Sequence, residues 1–162
     1  MNKTVLASLL TALTVAPAYA ANMYAGIKGG KSSYIITGLT DSSPNAYGVF
    51  GGYIIDPNLS VEAEYTNLGS INPSSATAIG ASALFYYPGN EPFSLFAKLS
   101  YSSSAWKTPS SVQHNSSFTH GLGCQYDASH NMSVRFSWER YMIGNQVAIN
   151  VDMLSIAAMV RF

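Results

Sequence analysis

Charge is what this sequence lacks most: Lys, Arg, Asp and Glu make up 10% of its 162 residues, against about 25% in an ordinary soluble domain. Something other than charge must solvate the surface of its fold. The balance is neutral, with 8 basic and 8 acidic residues, so no basic patch is available to meet nucleic acid. Cysteine occurs once, at Cys124, which excludes an intrachain disulfide, a stapled secreted mini-fold and a cysteine-based zinc site. Cys124 reads as a small apolar side chain on a strand, and nothing in the chain calls for a metal or cofactor. Long apolar runs are missing too. The stretch over residues 5–15 follows a single positive charge at Lys3 and ends in Ala18-Tyr19-Ala20, the outline of a secretory signal with a small-x-small cleavage site. It is shorter than the roughly 20 apolar residues that a membrane-spanning helix needs. Residues 1–20 are therefore expected to be a signal peptide and residues 21–162 a single exported domain.

What the chain does have is alternation. From Met23 onward, apolar and polar residues alternate in stretches of about ten, with turn residues between them and no helical period. The pattern predicts strands over residues 22–31, 46–55, 59–68, 77–87, 93–103, 117–126, 132–142 and 149–162. Three connections are tight: Asp56-Pro57-Asn58, Pro88-Gly89-Asn90-Glu91-Pro92 and Asp127-Ala128-Ser129-His130-Asn131. Those over 32–45, 69–76, 104–116 and 143–148 are longer and mostly rich in Ser, Asn, Pro or Gly. Short turns at one end and long loops at the other give an all-β, up-and-down, eight-stranded antiparallel barrel of the transmembrane kind.

Alternation alone does not say which face is outside, since soluble barrels alternate too. Placement of charge decides it. Leu59, Val61, Ala63 and Tyr65 share one face against Ser60, Glu62, Glu64 and Thr66; Met132, Val134, Phe136 and Trp138 oppose Ser133, Arg135, Ser137 and Glu139. If the charged face were wet, Lys28, Glu62, Glu64, Lys98, Arg135, Glu139 and Arg161 would be nearly all the charge the strands show to water, far too little for a soluble surface. An eight-stranded barrel has an interior just wide enough to fill with side chains, and a lipid-facing exterior must avoid charge. The apolar face also carries aromatics toward both strand ends. Tyr53, Tyr87, Phe93, Tyr126 and Phe162 lie near the short turns, and Tyr47, Tyr65, Tyr101, Phe118 and Trp138 toward the long loops, as two interfacial girdles. Val134 is placed on the lipid face near the midplane. A soluble lipocalin-like barrel is the architectural rival, disfavoured by the charge deficit and the double girdle.

Several segments resemble the transmembrane domain of the outer membrane protein A (OmpA-like) family. One is Gly51-Gly52-Tyr53, Asp56-Pro57, then Val61-Glu62-Ala63-Glu64-Tyr65 and Leu68-Gly69; another is Gly123-Cys124-Gln125-Tyr126, a turn, and Val134-Arg135-Phe136 with Trp138. A third is Leu154-Ser155-Ile156 through Val160-Arg161-Phe162, similar to the C-terminal strand whose final aromatic, here Phe162, is read by the outer-membrane assembly machinery. The resemblance spans essentially all of residues 21–162. It implies the outer membrane of a Gram-negative bacterium, with both termini periplasmic, and contact with outer-membrane lipid and lipopolysaccharide. Because the chain stops at Phe162, the peptidoglycan-binding domain of some family members is expected to be absent.

Inward charges lie about five to eight residues above the short-turn end, about 12 to 20 Å at the rise and tilt of barrel strands. Lys28, Glu62, Lys98 and Arg135 are expected to meet there in one layer, with Glu64, Gln125 and Glu139 in the same polar interior. The resemblance implies the same for Lys28, Glu62 and Arg135, which fall on family positions charged inside the barrel. It departs where Gln125 replaces an inward carboxylate and where Leu84 stands on the fourth strand, so partners for a family gate by alternative pairing are missing. Opposite charges in such an interior should pair, which fills the barrel and points to a structural or surface-interaction protein, of adhesin or envelope-integrity type, whose loops meet an extracellular ligand. The alternative is a narrow, low-conductance pore for small solutes. A lipid A-modifying enzyme is a remote third reading: the candidates His114, Ser116, Ser117 and His120, with Glu139, do not offer a converging nucleophile, base and orienting group. His120 and Cys124 share a strand face about 13 Å apart, too far for one metal ion, and His130 falls in a solvated turn.

Overall fold

The computed structural model describes residues 22–36, 39–41, 43–71, 74–88, 92–108, 111–143 and 149–162. The signal peptide expected over residues 1–20 lies outside them, as do Gly89, Asn90 and Glu91 of one predicted turn and residues 144–148 of the last predicted loop. The strands are β1 Met23–Ile36, β2 Leu39–Asp41, β3 Asn45–Asp56, β4 Leu59–Ile71, β5 Ser74–Pro88, β6 Phe93–Lys107, β7 Val112–Asp127, β8 Met132–Met142 and β9 Ile149–Arg161. From β3 to β9 each pairs antiparallel with the next; β1 pairs with both β3 and β9 and closes the barrel. The short β2 folds back on the far end of β1, where Tyr34 faces Asp41. Eight strands form the wall, and closure leaves no sheet edge within the apolar band.

Period-two alternation orders every wall strand. On β4, Ser60, Glu62, Glu64, Thr66 and Leu68 are buried inward, while Val61 and Tyr65 are exposed. Leu122, Ile156 and Phe118 are at least 60% exposed, and large apolar side chains cover the outer wall continuously, which a water-facing protein does not tolerate. Both girdles are present: Tyr53, Tyr87, Phe93 and Tyr126 face out at the short-turn end, and Tyr47, Tyr65, Tyr101 and Phe118 at the other. The tight turns are made by local polar chemistry, as where the Asp56 carboxylate accepts the Asn58 backbone N–H at 2.7 Å. The two described ends of the chain meet there too, the Phe162 N–H donating to the Met23 carbonyl at 3.0 Å.

Two expectations change. The strands run further at the long-connection end than alternation predicts: the segment read as a loop over 104–116 is mostly strand, with β6 and β7 paired as far as Lys107 and Val112. Beyond the girdle the outward face meets water and turns polar, while Ser102, Ser104 and Thr119 on the inward face are polar though buried, so the apolar/polar contrast fades while the ladder continues. Second, Val134 is in register with Tyr126; it belongs to the short-turn girdle, and Phe136 and Ile156, paired with each other, lie nearer the middle.

Candidate functional site: the filled interior

The interior is built in three tiers. Nearest the short turns is Arg135 on β8, whose guanidinium donates to Glu62 on β4 at 2.5 Å, to the Tyr86 hydroxyl at 2.8 Å and to the Gln125 side-chain oxygen at 3.2 Å. Rings surround it, with the centroids of Phe96, Phe50 and Tyr24 at 5.0, 5.3 and 5.9 Å, close enough for cation–π attraction. Glycine makes room for those rings: a Cβ at Gly123 would collide with the Phe96 ring, and one at Gly52 with that of Tyr24. Tyr24 completes the tier by donating to Glu62 at 2.9 Å.

Above it, Lys28 donates to Glu64 at 2.9 Å and to Glu139 at 3.1 Å, and Lys98 to the same two carboxylates at 2.6 and 3.1 Å. The Tyr141 hydroxyl donates to Glu139 at 2.7 Å. Lys98 also stands 3.8 Å from Glu62, tying the two tiers together. The structure thus brings Lys28, Glu62, Glu64, Lys98, Gln125, Arg135 and Glu139 into one network, split into two levels where one layer was expected, because Arg135 and Glu62 lie nearer the short turns than Lys28 and Glu139. Cations Lys28, Lys98 and Arg135 face carboxylates Glu62, Glu64 and Glu139, so the network is neutral, as a water-poor interior demands.

The third tier, at the long-connection end, is apolar. Tyr34, Leu68, Tyr141, Ile143, Val151 and Met153 are buried together there with Ala46, Ala76 and Ala78. Trp106 packs against this plug, its ring 5.7 Å from that of Tyr34. On the opposite side a cavity of about 630 Å³ opens at the short-turn end, lined by Tyr24, Ser60, Tyr86, Gln125, Asp127 and Arg161 among others. The barrel is therefore open below and stoppered above.

Sequence reasoning missed the plug, the aromatic cage of Arg135 and Tyr141, because it assigned aromatics to the lipid face. Counting inward positions one step past Glu139 reaches Tyr141, and the same parity points Tyr24, Phe50 and Phe96 inward. Gln125 and Leu84 are buried in the interior; Gln125 passes its amide on to Asp127 at 2.9 Å. The hydrolytic candidates do not converge. His114 and Ser116 face outward and are exposed, the Ser117 hydroxyl donates to the Met142 carbonyl at 2.7 Å, and Glu139 is held by lysines inside the wall. His120 sits outside with its ring 6.0 Å from that of Trp138, and Cys124 is half-buried on the same face. Among the described residues no three His, Cys, Asp or Glu side chains are grouped to hold a metal ion. Phe162 follows β9 on its outward side and is partly exposed.

The fold is shared with known proteins. Neisserial surface protein A superposes with a TM-score of 0.70 at 20% identity, over 90% of this chain and 100% of that one. Ail, the attachment invasion locus protein of Yersinia pestis, gives 0.64 at 17% identity over 87% and 98%, and the N-terminal barrel of Pseudomonas aeruginosa OprF 0.58 at 12% over 86% and 97%. No curated protein sequence matches the chain. The family model described as the outer membrane protein beta-barrel domain matches residues 4–162, and the chain belongs to that family, whose place is the outer membrane of Gram-negative bacteria.

Proposed function

We propose that this protein is a non-conducting barrel that presents its long-connection end to the cell exterior for surface interaction, with both ends of the exported domain in the periplasm. The observation that carries this reading is the stoppered interior: an apolar plug lies over a neutral charge network that bridges opposite walls. A rigid scaffold with extended polar hairpins is the usual arrangement in which connecting segments bind. Ail has a crystal structure in complex with a heparin analogue, sucrose octasulfate. Such a polyanion finds little here. Lys31 and Lys107 are exposed near that end, while Arg140 is already held by Asp152 at 2.6 Å; a ligand of low charge fits better. The outer belt contacts lipid and lipopolysaccharide, and Phe162 serves the assembly machinery. Reconstitution in planar bilayers tests the closed interior: the barrel should show no unitary steps, and reproducible steps in the wild type would overturn the reading. Deleting the 104–116 hairpin should reduce adhesion of expressing cells to their target surface without reducing barrel assembly.

A narrow pore is the second reading, favoured by the cavity that reaches Tyr86 and Gln125 from the short-turn side. Enzyme action on lipid A finds no support in the geometry, since the barrel wall separates Glu139 from His114 and Ser116. His114→Ala should leave the lipid A acylation pattern of expressing cells unchanged.

A further inference from the structure

Each inward cation of the two charged tiers meets a carboxylate: Lys28 and Lys98 meet Glu64, and Arg135 meets Glu62. Arg161 is different. It is the next inward residue of β9 after Met159, and it lines the cavity of about 630 Å³ that opens at the short-turn end. Its buried Nε has no hydrogen-bond partner, and among the described residues no ion pair joins its guanidinium to a carboxylate. Its backbone is nonetheless fixed: the Arg161 N–H donates to the Asn131 carbonyl at 2.8 Å, and the Asn131 side-chain amide donates to the Arg161 carbonyl at 3.3 Å.

Asp127 lines the same cavity from β7. The Gln125 amide donates to it at 2.9 Å and the Ser133 hydroxyl at 2.6 Å, both to Oδ1, which leaves Oδ2 without a partner among the described residues. Gln125 is in turn held by Arg135 and Tyr86, so the tier beneath sets the aim of the carboxylate. Asp127 is in register with Ser133 and Ser133 with Met159, one inward step from Arg161. Two strand spacings and one such step put the two Cα atoms about 12 Å apart. Their side chains therefore flank a gap that one small molecule spans, with Ile54 and Met159 as an apolar wall beside it.

We propose that this mouth is a binding site for a short uncapped peptide, whose carboxylate pairs with Arg161 and whose ammonium pairs with Asp127. Charge selects the class. A simple anion would face Arg161 but also Asp56 and Asp127, and a simple cation would face Arg161; a zwitterion satisfies both signs. The volume lies in the range of small-ligand sites, charge-assisted bonds at each end fix the orientation, and peptide side chains meet Ile54 and Met159. The site needs only the open short-turn end, whichever side of the membrane that end faces.

The test titrates the dipeptide Ala-Leu against the isotope-labelled protein in lipid nanodiscs, followed by NMR. Saturable shifts should appear at the amides of Asp127 and Arg161 and at the Gln125 side chain. Acetylating the peptide's amine or amidating its carboxylate should weaken binding about tenfold or more, and Asp127→Asn and Arg161→Gln should do the same, since each removes a bond between charged groups. The capped peptides leave the protein unaltered, so they decide the matter even if a variant fails the heat-modifiable migration that marks a folded barrel. Equal binding by either capped peptide or by a folded variant overturns the proposal, as do shifts that never saturate. Alanine, with both charges but no second side chain, should bind at least tenfold more weakly; equal binding would assign the site to free amino acids instead. Glu91, next to Pro92 in sequence, lies outside the described residues. Glu91→Gln should leave the affinity unchanged, and a tenfold gain would show that the chain's own carboxylate already occupies Arg161, which also overturns the proposal.

Discussion

Arg135 and Glu62 stand on opposite walls of the barrel, on β8 and β4, and meet in its middle at 2.5 Å. Three strands lie between them in either direction around the closed sheet, so their contact is a strut across the lumen. Removing one partner leaves a buried charge uncompensated. Glu62→Ala should therefore lower unfolding stability in lipid by about 3 to 5 kcal/mol, while replacing both partners together with apolar residues of similar volume should restore much of the loss. Denaturant midpoints for the single and double variants decide the matter, and an unchanged midpoint for Glu62→Ala would sink the strut.

The pair formed by Arg140 and Asp152 looks stronger on distances alone, with two contacts at 2.6 and 2.7 Å and the guanidinium 5.2 Å from the Trp138 ring centre. It lies outside the barrel, however, and its side chains are 35% and 20% exposed. Solvent and salt screen it. Asp152→Asn should cost about 0.2 to 1 kcal/mol, shrinking as salt is raised, whereas the Glu62→Ala loss should be nearly independent of salt. Unfolding of both variants at low and high ionic strength separates the two cases.

Much of this was legible in the sequence because lipid imposes a stricter rule than water: every outward position within the band must be apolar. That rule exposed the parity of Glu62 against Val61 and of Arg135 against Val134, and so the barrel and its inward charges. It is silent past the girdle, where Ser102, Ser104 and Thr119 are buried in the wall while their neighbours are polar too, and so the length of the β6–β7 hairpin escaped. It is silent also on tertiary depth. The split into two tiers follows from how the register staggers from strand to strand, and the plug from aromatics that point inward. One local irregularity was within reach in principle. Gly69, the one glycine with positive φ among the described residues, at 87°, marks a register shift in β4, but a glycine ending a predicted strand reads equally well as a turn.

Depth in the membrane gives the third prediction. Ile156 is 60% exposed and pairs with Phe136 near mid-strand, whereas Val134 lies level with Tyr126 in the girdle. An arginine at Ile156 should cost about 2 to 4 kcal/mol and one at Val134 only about 0 to 1 kcal/mol, because near the interface the guanidinium reaches headgroups. Folding into vesicles, followed by denaturant titration of both variants, checks the gradient. Equal costs would mean that the apolar band is shifted along the barrel.

The plug and the charge network make separate demands on the lumen, and that separation can be tested. Leu68 is fully buried beside Tyr34, Val151 and Met153, so Leu68→Ala removes packing from the stopper and should cost about 2 to 5 kcal/mol. It should not open a path, because Lys28, Lys98, Glu64 and Glu139 still bridge the walls beneath it. Conductance is expected only when the plug and the network are weakened together, as in Leu68→Ala combined with Lys98→Ala and Glu64→Ala. The triple variant removes one charge of each sign and leaves the interior neutral. Planar-bilayer recordings of the single and triple variants test the order of the two barriers. Steps from Leu68→Ala alone would show that the plug is the sole barrier and that the charged tiers beneath it already pass ions.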